Sequence, residues 1–179
     1  MNKNSVNITN LKSSPVGNLR GFGLLLFLFV FAFSSCEEDR HLDWRYINVQ
    51  WYEQERARLC EETGEKFWAE TESGLLYRVI NEGIGDDDYR GRPGNRSWVE
   101  IAYTGTFFNN AQFDSSTGMT NYLAGFVPGF QEALRMMKKN AIYEVILPYK
   151  IAYGDNDGGS IPPYSALQFK IELMNFGTE

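Results

Sequence analysis

Between Leu167 and Leu173 the side chains alternate without a break. Leu167, Phe169, Ile171 and Leu173 fall on one side, and Gln168, Lys170 and Glu172 on the other. Successive side chains of a strand point to opposite faces, so this pattern demands a strand with one covered face and one wet face. The same period of two runs through Trp98 to Phe107, where Val99, Ile101 and Tyr103 alternate with Glu100, Ala102 and Thr104. Ala141 to Leu147 repeats it. Leu75 to Ile80 and Gln112-Phe113-Asp114 supply two further predicted strands, set off by turn-rich 81–88 and by Asn109-Asn110. One segment changes period. Phe130, Ala133, Leu134 and Met137 recur at i, i+3, i+4 and i+7 behind Pro128-Gly129, which predicts a short amphipathic helix. The order β-β-β-α-β-β with alternating strands implies an α+β domain, an antiparallel five-stranded sheet wrapped around that one helix.

Upstream of this domain the chain has a different character. Residues 1–35 carry Lys3, Lys12 and Arg20 but no acid, and Phe22 to Phe33 are apolar throughout. That run is too short for a bilayer span, which takes about 20 residues. Basic residues, a short apolar run and small residues at its end have the layout of a secretory signal peptide. The junction Phe33-Ser34-Ser35-Cys36 resembles the lipobox of bacterial lipoproteins, in which cleavage leaves the cysteine first and lipid-modified. The resemblance implies lipidation of Cys36 and a place in the Gram-negative cell envelope, at the outer membrane. The other reading open to these residues is an ordinary signal peptide followed by a Cys36–Cys60 disulfide.

Residues 36–72 read as a tether with one helix, from about Trp44 to Glu62, capped by Asp43 and stopped by Gly64. Trp44, Ile47, Trp51 and Leu59 fall roughly on one face, which suits packing against the chain's own domain. The three expected parts are thus a signal at 1–35, a tether and helix at 36–72, and a domain at 73–179.

Composition removes much chemistry. The formal charge of −6 speaks against a nucleic-acid partner, which needs a basic field. Two cysteines and one histidine, His41, leave no four-cysteine zinc site and little room for a Ser-His-Asp triad. Asp86-Asp87-Asp88 reads as a solvated turn. Asp155-Asn156-Asp157-Gly158 would need a carboxylate where Tyr164 stands to bind calcium. No metal or cofactor is expected.

What remains is an aromatic set at loops and strand ends, accompanied by Asp114 and by Ile161-Pro162-Pro163. The stretches Tyr103-Thr104-Gly105, Phe113-Asp114-Ser115-Ser116, Val127-Pro128-Gly129-Phe130, Leu147-Pro148-Tyr149, Ala152-Tyr153-Gly154 and Ile161-Pro162-Pro163-Tyr164-Ser165-Ala166-Leu167 occur in that order. From about Ser73 to Phe176 the chain therefore resembles the FKBP-type peptidyl-prolyl cis-trans isomerases. The resemblance implies that Tyr103, Asp114 and Tyr153 act on the substrate. It implies that Phe113, Tyr122, Phe126, Val127, Phe130, Ile161 and Phe169 bind it, with Phe130 as the pocket floor. The floor is usually Trp in that family, and the place of Phe126 is usually aliphatic.

A planar prolyl amide is more polar than the twisted one, so a dry aromatic pocket disfavours the ground state relative to the transition state. No nucleophile or metal is required. The implied partners are proline-containing unfolded or exported polypeptides, and a macrolide of the rapamycin or tacrolimus type would suit the same pocket. A membrane is met through the lipid, and the short arm before the domain implies a monomer. A non-catalytic FKBP-like peptide-binding chaperone or assembly module is the alternative from another class.

Overall fold

The computed structural model describes residues 36–85, 91–156 and 159–178. Residues 1–35, where a signal is expected, Asp86-Asp87-Asp88 and Asp157-Gly158 lie outside the described residues, as do the side chains of Cys36 and His41. In chain order the elements are α1 (Cys36–Ala57), β1 (Ala69–Glu70), β2 (Leu76–Asn81), β3 (Ser97–Thr106), β4 (Gln112–Tyr122), α2 (Pro128–Met136), β5 (Ala141–Leu147) and β6 (Leu167–Thr178). Short 3-10 turns occupy Leu123–Gly125 and Tyr149–Ile151.

The strands form one antiparallel sheet in the order β1-β2-β5-β6-β3-β4. The sheet has six strands among the described residues, one more than the alternation predicts. The addition is β1, whose two residues pair with β2 as Ala69↔Tyr77 and Glu70↔Leu76. Two exposed residues carry no periodicity, so nothing in the pattern could announce them.

The covered face is the one that the alternation selects. Val99 and Ile101 on β3, Val145 and Leu147 on β5, and Leu167, Ile171 and Leu173 on β6 are fully buried. The α2 stripe of Phe130, Ala133 and Leu134, with Met137 just past the helix, closes over them. Pro128 sits at the first helical turn, where its missing N–H costs nothing. Gly129 permits close approach, because a Cβ there would stand 2.8 Å from Leu147 and Ile151 side-chain carbons.

The opposite face is covered at the β2–β5 end. Leu76 and Ile146 point away from α2 into a small second core with Tyr52, Trp68 and Ala166. Helix α1 forms part of that cover. It starts at Cys36 and ends at Ala57, so Asp43 lies inside it and is no N-cap. Gly64, at φ 70°, belongs to a separate turn, which the Leu59↔Lys66 bridge closes. The docked face also differs from the expected one: Ile47 and Leu59 are exposed, while Asn48 and Tyr52 are buried. Tyr52 donates to Gly74 O at 2.7 Å, Trp68 Nε1 donates to Glu55 at 2.8 Å, and Arg56 pairs with Glu70 at 2.8 Å. Polar contacts dock this helix, and a count of apolar residues is blind to them.

Candidate functional site

The β3–β4 pairing contains the local event that builds the site. Gly105 pairs with Asp114 and Thr106 with Gln112, so the ladder skips Phe113. Such a bulge inserts an unpaired residue and re-aims its neighbours. Phe113 and Asp114, adjacent in sequence, would otherwise face opposite sides of the strand. Both instead line one cavity of about 230 Å³.

Gly105 makes room for the wall. A Cβ on it would lie 2.7 Å from ring carbons of both Phe113 and Phe169. Phe130, from the first turn of α2, meets Phe169 edge-on with centroids 5.0 Å apart, and Tyr103 edge-on at 5.8 Å. Phe126 stacks on Phe130 at 5.0 Å with 16° between the planes. Phe113 meets Phe169 at 5.6 Å. Aromatic pairs of this geometry add about 0.5–1.5 kcal/mol each beyond area burial, so the rings hold one another in place. Gln131 Nε2 donates to Phe126 O at 2.7 Å and fixes the backbone that carries the outer ring.

A hydrogen-bonded polar pair stands among the rings. The Tyr103 hydroxyl donates to Asp114 Oδ2 at 2.6 Å, and the Ser115 N–H donates to Asp114 Oδ1 at 2.8 Å. Both carboxylate oxygens are thereby engaged, and the side chain is pinned beside the rings. Burial, then the hydrogen bond and charge of Asp114, push the Tyr103 hydroxyl well above the ordinary tyrosine range. It stays a donor at any physiological pH. Tyr153 is also pushed up, by burial first and Asp114 second, although it remains half-exposed at the cavity.

Of the ten sequence-predicted pocket residues, eight line the cavity: Tyr103, Phe113, Asp114, Phe126, Val127, Phe130, Tyr153 and Phe169. Tyr122 and Ile161 do not. Tyr122, at the end of β4, is 49% exposed, and Ile161 is buried in the main core. Met119, Asn121 and Gly125 line the cavity without having been singled out. They come from the far part of β4 and the turn after it. A ten-residue β3 needs a partner of similar length, and that count was the available signal.

A larger hollow of about 460 Å³ lies where α1 meets the sheet. Glu53, Arg56, Glu70, Glu72 and Lys150 are part of its lining, and none of the residues that the resemblance assigns to acting on or binding the substrate is.

Residues 90–174 match the family described as FKBP-type peptidyl-prolyl cis-trans isomerase. The chain carries an FKBP-type domain over those residues. It is 36% identical over 126 residues to the FKBP-type 22 kDa peptidyl-prolyl cis-trans isomerase of Escherichia coli, covering 67% of this chain and 59% of that protein. It is 36% identical over 108 residues to the outer membrane protein MIP of Legionella longbeachae, covering 58% of this chain and 44% of that one. The match thus spans less than two thirds of either relative's length. The crystal structure of FkpA from Escherichia coli superposes with a TM-score of 0.72 at 25% identity, covering 90% of this chain and 74% of FkpA. An isomerase structure from Pseudomonas syringae gives 0.63 at 25% identity, covering 74% of this chain and 92% of its own. The FKBP-like fold expected from the sequence is the fold of this chain, with the sixth strand added.

Proposed function

We propose that this chain catalyses cis-trans isomerisation of peptidyl-prolyl bonds in exported polypeptides. The observation that carries the reading is the Tyr103–Asp114 bond of 2.6 Å at a cavity also lined by Phe113, Phe126, Phe130 and Phe169. The rings accept the proline and exclude water. In that setting the planar amide loses solvation that the twisted amide does not need, which lowers the barrier by selective transition-state binding. Tyr153 hydrogen-bonds the substrate carbonyl. Asp114 orients Tyr103, as the 2.6 Å bond supports. Val127 completes the wall, and Ile161 belongs to the core that Phe130 and Phe169 share. No covalent step and no cofactor enters, and a macrolide of the rapamycin or tacrolimus type is a ligand for the same cavity. The printed names of the relatives favour the enzyme over a non-catalytic module.

The test is a protease-coupled assay on a short peptide containing a Leu-Pro bond. The wild type accelerates isomerisation, and Asp114→Ala and Tyr153→Phe each lower kcat/KM about tenfold, the worth of one well-placed hydrogen bond. A wild type no faster than buffer overturns the reading.

For its location we propose a signal at 1–35, a lipid on Cys36, a tether and helix through 72, and an isomerase domain at 73–179, monomeric and held at the outer membrane. The name of the Legionella relative supports that membrane. Buried acyl methylenes contribute about 0.8 kcal/mol each, so a multiply acylated Cys36 anchors stably. Cys36→Ser is expected to move the protein from the membrane to the soluble fraction on cell fractionation. Retention in the membrane overturns the anchor.

A further inference from the structure

Trp44 of α1 touches the ring behind one wall of the proline cavity and the loop that carries Ser165, without lining the cavity. Its ring meets Phe107 edge-on at 5.6 Å and Phe108 at 5.4 Å. Phe107 lies 4.9 Å from Phe113, the ring that the bulge turns into the cavity. On its other side the indole N–H donates to Ser165 Oγ at 3.0 Å, and Ser165 Oγ donates to Pro162 O at 2.6 Å. Asn48, one turn along the helix, locks this arrangement. Its Nδ2 donates to Trp44 O at 2.9 Å, and its Oδ1 accepts from Ala166 N at 3.0 Å, with the residue wholly buried. A buried amide satisfied on both ends fixes the helix register against the loop, because any slip would leave polar groups unpaired.

Arg45 adds a third contact on the same loop. Its guanidinium stands 4.5 Å over the ring of Tyr164, which also meets Tyr149 at 5.4 Å. Tyr164 holds a left-handed φ of 62°, and its N–H donates to Gly154 O at 2.9 Å, next to Tyr153. A bulky residue keeps such a backbone only where its surroundings enforce it. Contacts on this ring therefore bear on the loop beside Tyr153.

We propose that Trp44 is a positioning residue for the proline pocket, setting the spacing between the Phe113 wall and the Pro162–Ser165 loop. The proposal rests on the isomerase reading above and extends it to a helix outside residues 90–174, which match the family. Phe113 sits on β4, an edge strand with one neighbour and mostly exposed side chains. Its wall thus depends on what leans on the Phe107–Phe108 turn, and Trp44 leans there. Catalysis by fit is sensitive to small displacements of a wall.

The experiment uses the full chain and compares Trp44→Ala, Trp44→Phe and Trp51→Ala. Trp51 is on the same helix but packs on the small second core of Tyr52, Trp68, Leu76 and Ile146. Trp44→Ala is expected to lower kcat/KM for the Leu-Pro peptide by about tenfold, a fraction of what an ångström of misplacement can cost. Trp44→Phe, which keeps the ring contact and loses the N–H, recovers most of it. Trp51→Ala lowers the melting midpoint but leaves kcat/KM of the folded protein unchanged. Equal kcat/KM for Trp44→Ala and Trp51→Ala, measured where both are folded, overturns the proposal. Should the wild type itself show no acceleration, the isomerase reading fails separately, and amide NMR decides the positioning. Shifts at Phe113, Gly154 and Ile161 in Trp44→Ala but not in Trp51→Ala support it, and equal shifts in both overturn it.

Discussion

The two helices cover opposite faces of one sheet by different physics. Helix α2 buries an apolar stripe of Phe130, Ala133 and Leu134 against β3, β5 and β6. Helix α1 docks through the side chains of Trp44, Asn48, Tyr52 and Arg56, each with a named hydrogen-bond or ion-pair partner. Hydrophobic burial is non-directional and tolerates small shifts, whereas a buried hydrogen bond is geometric and fails when its partner moves. The first helix type supplies stability, and the second supplies register.

The largest expected effect tests the apolar side. Leu134→Ala removes a fully buried side chain from beneath the sheet and leaves a cavity. The cost is about 2–5 kcal/mol by analogy with other Leu→Ala core changes. Chemical denaturation should show a lower midpoint with a similar slope. A change below about 1 kcal/mol would mean that α2 is less central to the core than its burial indicates.

A smaller and different loss is expected on the polar side. Asn48→Ala removes a fully buried amide that is bonded at both ends, stranding the Ala166 N–H. An orphaned buried donor costs about 1–3 kcal/mol. The loss should be accompanied by faster amide exchange at Ala166, a signal that Leu134→Ala would not give at equal destabilisation. Equal exchange rates in the two variants would erase the distinction between the helices.

That distinction also governs what the sequence made legible. The β6 strand and α2 announce themselves because each has one buried face, and burial imprints a period on the residues. The far half of β4 has no such imprint. Ser115, Thr117, Gly118 and Thr120 are exposed on an edge strand, so Met119 and Asn121 entered the cavity unnoticed. Trp44 and Trp51 were read correctly as inward, but Ile47 and Leu59 were not. The true inward positions 48 and 52 hold Asn and Tyr, which apolar counting scores as outward. Asp114 and Tyr153 are legible only through ordered short motifs, since they share no period with anything. The bulge at Phe113 is a property of two strands together, and neither strand alone encodes it.

The smallest effect, nil at neutral pH, concerns the tyrosines that each region buries. Tyr103 in the pocket and Tyr52 at the α1 contact are both pushed above the ordinary value, in each case by burial first. Asp114 raises Tyr103 further through its hydrogen bond and its charge, and Glu70 raises Tyr52 through charge. A tyrosine whose folded value is raised favours the neutral hydroxyl in the native state. The stability it contributes is fully present below the unfolded value of about 10 and is lost as pH climbs through the folded values. Ultraviolet difference titration should therefore show tyrosines that ionise late, and Tyr103→Phe and Tyr52→Phe should each remove one of them. Stability should be flat between neutral pH and about 10 and fall beyond it, less steeply in either variant. If Tyr103→Phe leaves the late-titrating population intact, its hydroxyl is more solvated than its bond to Asp114 implies.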